Sequence, residues 1–99
     1  MMVAFDEVVE KITDAVRQVE ADAGASPVLV AVVGEFEAKL AKATKHATGG
    51  VPGRDFVVEL EQAGDSAKVA AEAAAGLSSD ARESVLAAHL AICKLKAGA

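Results

Sequence analysis

The sequence predicts an all-α protein, an antiparallel four-helix bundle made of two tandem helical hairpins. Apolar residues recur every three or four positions in four separate segments, as is typical of amphipathic helices. The stretch EADAGASP, residues 20–27, returns 52 positions later as EAAAGLSS, residues 72–79. Between these stretches, TGGVPG at residues 48–53 contains the strongest helix-breaking residues of the chain. Each half is therefore predicted to be a helix, a turn and a second helix.

The first hairpin is predicted from two apolar stripes joined by a recognisable turn. Helix 1 carries the stripe Phe5, Val8, Val9, Ile12, Val16, Val19 and Ala23. Gly24 fits the position after a helix end, where glycine adopts a positive φ at little cost. Ser26 fits an N-cap, and Pro27 fits the first position of helix 2, which we expect to reach about Ala47. Its stripe is Leu29, Val33, Phe36, Leu40, Ala43 and Ala47.

The second hairpin repeats this plan with a more alanine-rich core face. Helix 3 is expected to begin near Arg54 or Asp55, with the stripe Phe56, Val57, Leu60, Ala63, Ala67, Ala70, Ala71 and Ala74. Gly64 lies inside this helix, which predicts either a bend or the close approach of another helix. Gly76 repeats the signal of Gly24, and Ser78 or Ser79 fits the next cap. Helix 4 should reach about Lys96, with an inner face of Ala81, Val85, His89, Ile92 and Leu95, widened by Leu86, Leu90 and Cys93.

These elements predict one four-helix domain over residues 1–99. The first hairpin would span residues 3–48, the linker 48–54 and the second hairpin 55–97. A core of this composition is built from short aliphatic side chains, because only three of the 99 residues are aromatic. Each such side chain buries little area, so we expect modest stability or help from self-association. The pattern leaves open whether the two halves arose by duplication.

Charge and composition exclude several classes of partner. The net charge of −5 argues against general nucleic-acid binding, which requires a basic surface. No segment approaches the about 20 apolar residues that a membrane-spanning helix needs. Cys93 is the only cysteine, so an internal disulfide is impossible. Charges in the first residues do not fit a signal peptide, although a leader that had been removed would leave no trace.

Two histidines are the candidate acid–base catalysts, and a weak ribonuclease would use both. His46 lies at the predicted end of helix 2, and His89 lies on the inner face of helix 4. The alternative interpretation gives each a structural role. His46 would then complement the negative end of a helix dipole, and His89 would be a partly buried, hydrogen-bonded core residue.

The remaining polar candidates carry weaker signals. Lys39, Lys42 and Lys45 gather at one end of helix 2, where they could meet an anionic partner or simply face solvent. The histidines and Cys93 have no metal-ligand spacing, and no cofactor motif is present, so neither a metal nor a cofactor is predicted. Cys93 has apolar neighbours, which favours core packing over a nucleophile.

Several segments resemble the four-helix domains of the grass-pollen group 5 and group 6 allergens. VVEKITDA, residues 8–15, is similar to the start of that family's first helix, and Ser26-Pro27 is similar to its first turn. GEFEAKLAKATKHATGG, residues 34–50, matches its F-E-A helix and the K-A-S-T-G-G that follows. Phe56, Leu60 and Glu61 continue the likeness. The sequence departs from the family in having no tyrosine, where the family carries D-K-Y-x-x-F patterns.

The resemblance implies an all-helical bundle that tends to dimerise and is recognised by IgE. It also implies a plant source and a secreted mature domain; without it, a cytoplasmic location would be expected. A ribonuclease activity has been attributed to some members of that family, which has no agreed catalytic motif. We therefore expect a non-enzymatic structural or interaction module that forms a homodimer or binds another protein. The alternatives are a weak ribonuclease that uses His46 and His89, and a carrier of a small apolar ligand.

Overall fold

The computed structural model describes residues 5–47 and 52–98 and confirms the predicted all-α four-helix bundle. Helix α1 spans Phe5–Ala21, α2 spans Pro27–Lys45, α3 spans Arg54–Ala73 and α4 spans Ser79–Gly98. Four residues of the predicted linker, 48–51, lie outside the described residues, as do residues 1–4 and 99. No helix in the described ranges is both long enough and apolar enough to span a bilayer.

The helices form a closed ring in which each packs against two neighbours. The packed pairs are α1 with α2, α2 with α3, α3 with α4, and α4 with α1. Among the described helices, the Cα atoms of no diagonal pair come within 8 Å of each other. Consecutive helices run antiparallel, since the end of α2 lies beside the start of α3 and the end of α4 also lies beside the start of α3. The surface between α2 and α3 is consequently on the opposite side of the bundle from the surface between α1 and α4.

The core has the composition that the apolar stripes predict. Its largest fully buried side chains are Phe36, Ile12, Leu29, Leu60, Ile92, Val8, Val19, Val33 and Val85. Alanines fill the spaces between them and allow close helix packing. Ser84 is the buried polar residue of the described core, and its hydroxyl donates to the carbonyl of Ala81 at 2.6 Å.

The alanine-rich face of α3 packs inside the bundle. Ala63, Ala67 and Ala71 are buried. A Cβ placed on Gly64 would lie 3.5 Å from the ring of His89 and 3.9 Å from its Cα. These are ordinary van der Waals distances, so an alanine would also fit here, and the packing of α3 against α4 does not require a glycine at this position.

Four local expectations are wrong. Ala23 does not belong to the stripe of α1, because that helix ends at Ala21 and Ala23 is exposed. Gly24 and Gly76 do not have a positive φ. Helix α2 ends at Lys45, two residues before the expected end, because His46 leaves the helical conformation at φ −100° and ψ 6°. Leu90 does not widen the inner face of α4, since 53% of its surface is exposed.

The two repeated turns contact each other at one end of the bundle. A Cβ on Gly24 would lie 1.8 Å from the carbonyl oxygen of Gly76, so a side chain cannot be placed there without moving backbone. The carboxylate of Asp22 accepts hydrogen bonds from the backbone N–H of Gly24 at 2.8 Å and of Ser78 at 3.0 Å. The 52-residue repeat therefore places two glycine-containing turns against one another, where only small residues fit.

Candidate functional site

His46 lies at the end of the bundle opposite the paired turns. Its exposed ring stacks on Phe56 at the start of α3, with the ring centroids 5.1 Å apart and the planes 4° from parallel. Its backbone N–H donates to the carbonyl of Lys42, which closes the C-terminal end of α2. The ring therefore joins the last turn of α2 to the first turn of α3.

Two of the three candidate lysines are engaged within the bundle. Lys39 and Lys42 both contact the carboxylate of Glu59 on α3, with nitrogen–oxygen distances of 3.1 and 3.5 Å. The hydrogen bond from Lys39 is the main reason that the pKa of Glu59 lies below its ordinary value. Lys42 also lies over the ring of Phe56, 5.7 Å from its centroid. In the described part of the chain, Lys45 makes no ion pair, so it is the lysine of this group that remains available to an anion.

His89 belongs to a separate polar cluster between α3 and α4. Its Nε2 lies 2.6 Å from a carboxylate oxygen of Asp65, and the sulfur of Cys93 lies 3.7 Å from the same nitrogen. Burial, followed by the charges of Glu61 and Asp65, raises the pKa of the Cys93 thiol. A raised pKa favours the protonated thiol, which is the unreactive form. The arrangement thus lacks the activated sulfur of a cysteine nucleophile.

The structure does not bring the two histidines together. His46 contacts α3 at Phe56, whereas His89 contacts it at Asp65. Nine residues of helix separate these contacts, a distance of about 14 Å along the helix axis. Over residues 5–47 and 52–98, no three histidine, cysteine or carboxylate side chains are grouped as a metal would require.

An apolar surface that the sequence analysis did not single out lies between α2 and α3. Val28 and Val69 are 68% and 65% exposed, which makes them the most exposed large apolar residues described. They share one shallow open groove, and we call its apolar and small residues the valine patch: Val28, Val32, Ser66, Val69, Ala70 and Ala73. Asp65 lines one edge, and a neighbouring depression continues from Val28 and Ala73 to the paired glycines. The patch is therefore contiguous, unlike scattered surface valines.

A second surface groove lies between α1 and α4, on the opposite side of the bundle. Leu90 forms its exposed apolar part together with Ala87 and Ala91. Glu7, Lys11 and Lys94 line its edges. We call these six residues the leucine groove. Neither lysine makes an ion pair within the described ranges, in contrast to Lys39 and Lys42.

One sequence signal could have revealed the valine patch. The run VLVAVV, residues 28–33, carries more valines than one helical stripe can turn inward. Leu29 and Val33 are buried, so Val28 and Val32 must point toward a different side of α2. The predicted stripe of helix 2 includes Leu29 and Val33 and assigns no position to the other valines of this run.

Comparisons with protein-family models, curated proteins and solved structures give no match for this chain.

Proposed function

We propose that the protein is a non-enzymatic helical interaction module that binds a second copy of itself through the valine patch. The observation that carries the proposal is the exposure of Val28 and Val69 in one contiguous groove. Contiguous apolar surface is costly in water and commonly marks a protein interface. Alanines and a serine beside the valines would let the backbone of a partner approach closely.

The polar candidates support an interaction role over a catalytic one. His46 and His89 contact α3 at points about 14 Å apart along its axis, and the Cys93 thiol has a raised pKa. Lys39 and Lys42 are both engaged with Glu59. The family that the sequence resembles tends to dimerise, which agrees with the proposal, and the resemblance itself stays a prediction.

The test is the mass of the protein as a function of concentration, measured by sedimentation velocity. We expect the wild-type mass to rise between micromolar and millimolar concentration. Val69→Gln places a polar amide in the patch, so its dissociation constant should rise by about tenfold or more.

Val30→Gln is the matched control, because Val30 is 40% exposed on α2 but does not line the patch. Two residues after Val28, it points to roughly the opposite side of the helix. This variant should associate like the wild type. A wild-type mass that stays at one chain throughout, or equal losses in both variants, would contradict the proposal.

A further inference from the structure

The valine patch and the leucine groove lie on opposite sides of the ring of helices, so they cannot meet within one chain. Each exposes a large apolar side chain, Val69 in the patch and Leu90 in the groove, and each is bordered by charge. Two such surfaces allow two kinds of self-association. Patch could bind patch in a closed dimer, or the patch of one copy could bind the groove of the next.

The charges beside the patch are mainly acidic. Asp65 lies one helical turn before Val69, and Glu72 lies one turn after it on the same side of α3. Their side chains are 61% and 51% exposed. Asp65 is paired with His89, and Glu72 is 4.0 Å from Lys68. Both carboxylates thus keep oxygen surface that a partner could reach.

The charges beside the groove are mainly basic. Lys94 follows Leu90 by one turn of α4, and Lys11 reaches the same groove from α1. Glu7, which also lines the groove, lies one turn from Lys11. Val69 and Leu90 are both apolar, and the charges that flank them are of opposite sign. The two surfaces are therefore complementary in charge.

A closed dimer through the patch has the opposite electrostatics. A two-fold axis through Val69 would align two antiparallel copies of α3, and Asp65 of one copy would face Glu72 of the other. Like charges brought together at the edge of an interface oppose association. The charge pattern therefore favours contact between unlike surfaces.

We propose that the chain associates head to tail, with the valine patch of one copy seated in the leucine groove of the next. Asp65 and Glu72 would then approach Lys11 and Lys94 of the neighbouring copy. Such a contact leaves one free patch and one free groove, so the assembly grows into a ring or an open chain of copies. This inference rests on the proposed self-association and adds the surface that the patch binds.

The deciding experiment measures two variants, Val69→Gln and Leu90→Gln, by sedimentation velocity. Each variant is measured alone and then in an equimolar mixture with the other. Each variant spoils one surface and retains the other, so each alone should lose self-association by about tenfold or more. In the mixture, the intact groove of the first binds the intact patch of the second, and the expected product is a dimer that does not grow further. Circular dichroism of both variants checks that the exposed substitutions leave the helices intact.

The outcomes separate this inference from the proposed function. If wild type associates and Leu90→Gln associates equally well, the contact is patch to patch and the head-to-tail inference is wrong. A wild type that remains a single chain overturns both proposals. A mixture that stays monomeric while each variant is folded also overturns the head-to-tail contact.

Charge reversal gives a second test that leaves the apolar residues unchanged. Glu72→Lys and Lys94→Glu should each weaken association, because each places like charges across the contact. The chain that carries both changes should recover, since the new lysine then meets the new glutamate of its neighbour. If the double variant loses as much association free energy as the two single variants together, Glu72 and Lys94 do not meet across the contact, and the head-to-tail arrangement is wrong. Added salt should weaken the wild-type assembly, whereas it would strengthen a patch-to-patch dimer.

Discussion

The two turns of the molecule share a sequence pattern but differ in how they are held. In both, a serine caps the following helix: Ser26 accepts from the N–H of Leu29 at 3.1 Å, and Ser78 accepts from the N–H of Ala81 at 3.2 Å. These serines are 52 positions apart, like the glycines that precede them. The shared residues therefore build the same local turn twice.

The unlike residues connect each turn to its surroundings. In the first turn, Asp22 accepts from the backbone of Ser78 and so ties the two turns together. In the second, Arg82 donates to the carbonyls of Ala71 at 3.2 Å and Ala74 at 2.8 Å, which closes the end of α3. The positions 52 residues away are Ala74 and Val30, which can do neither. The repeated residues thus specify each turn, and the residues that differ between the two repeats, Asp22 and Arg82, specify how each turn is connected to the rest of the bundle.

The largest expected loss of stability comes from a side chain at Gly24, and the same change at Gly76 should cost much less. A Cβ on Gly24 would overlap the carbonyl of Gly76, whereas a Cβ on Gly76 would lie 3.1 Å from the carbonyl of Gly24. Gly24→Ala should therefore lower the free energy of unfolding by about 3 kcal/mol, and Gly76→Ala by about 1 kcal/mol or less. Urea denaturation of both variants measures the difference. Equal losses would show that the turns do not pack as described.

Removal of the Arg82 side chain, which caps the end of α3, should cause the next largest loss of stability. Arg82→Ala leaves the carbonyls of Ala71 and Ala74 without these donors, and we expect a loss of about 2 kcal/mol in the free energy of unfolding. Arg82→Lys keeps the charge but not the several donors of the guanidinium, so it should recover only part of that loss. Thermal unfolding followed by circular dichroism distinguishes these variants. If Arg82→Ala unfolds like the wild type, the contacts of the guanidinium contribute nothing.

The serine caps should show how alike the turns are. Ser26→Ala removes one capping bond and should cost about 1 kcal/mol. Ser78→Ala removes the equivalent bond and also disturbs a partner of Asp22, so its cost should be somewhat larger. Denaturation of the two variants side by side tests the ranking, and a larger cost for Ser26→Ala would reverse it.

The smallest expected effect on stability is a pH dependence that arises at Asp22, which joins the two turns. Hydrogen bonds from the side chain and backbone of Ser78, and from the backbone of Gly24, hold the pKa of Asp22 below its ordinary value. Because the folded-state pKa is the lower one, Asp22 stabilises the fold above the unfolded pKa of about 4 and loses this contribution as the pH falls further. Asp22→Ala should therefore lose less stability than the wild type between neutral and acid pH.

Glu20→Ala is the matched control for this pH experiment, since it removes a carboxylate from the same repeated stretch. This variant keeps the hydrogen bonds of Asp22 with both turns, so it should retain the acid-sensitive contribution that Asp22→Ala loses. Identical profiles for wild type and Asp22→Ala would mean that the tie between the turns contributes no measurable stability.

Helical periodicity and turn chemistry were sufficient to predict the four helices and the N-cap at Ser26. The closeness of the two turns was not predictable, because the local backbone preference of a glycine does not reveal which distant segment it contacts. The pairing of His89 with Asp65 joins residues on different helices, and its details depend on the register between α3 and α4. The exposure of Leu90 also depends on how the helices pack. An apolar residue at the edge of a stripe faces solvent when no neighbouring helix covers that edge.

The turns and the candidate interface are physically connected. The depression beside the paired glycines is lined by Val28 and Ala73, which also belong to the valine patch. The contact between the turns therefore helps to fix the spacing of α2 and α3 along the patch. Gly24→Ala should therefore disturb self-association as well as stability.

The valine patch can be tested most directly by methyl NMR of the valines at low and high protein concentration. If self-association covers the patch, the signals of Val28, Val32 and Val69 should shift as the concentration rises. The signal of Val30 should stay in place, because this residue is exposed outside the patch. Signals that do not move at any concentration, or a shift of Val30 equal to that of Val69, would contradict the proposed interface.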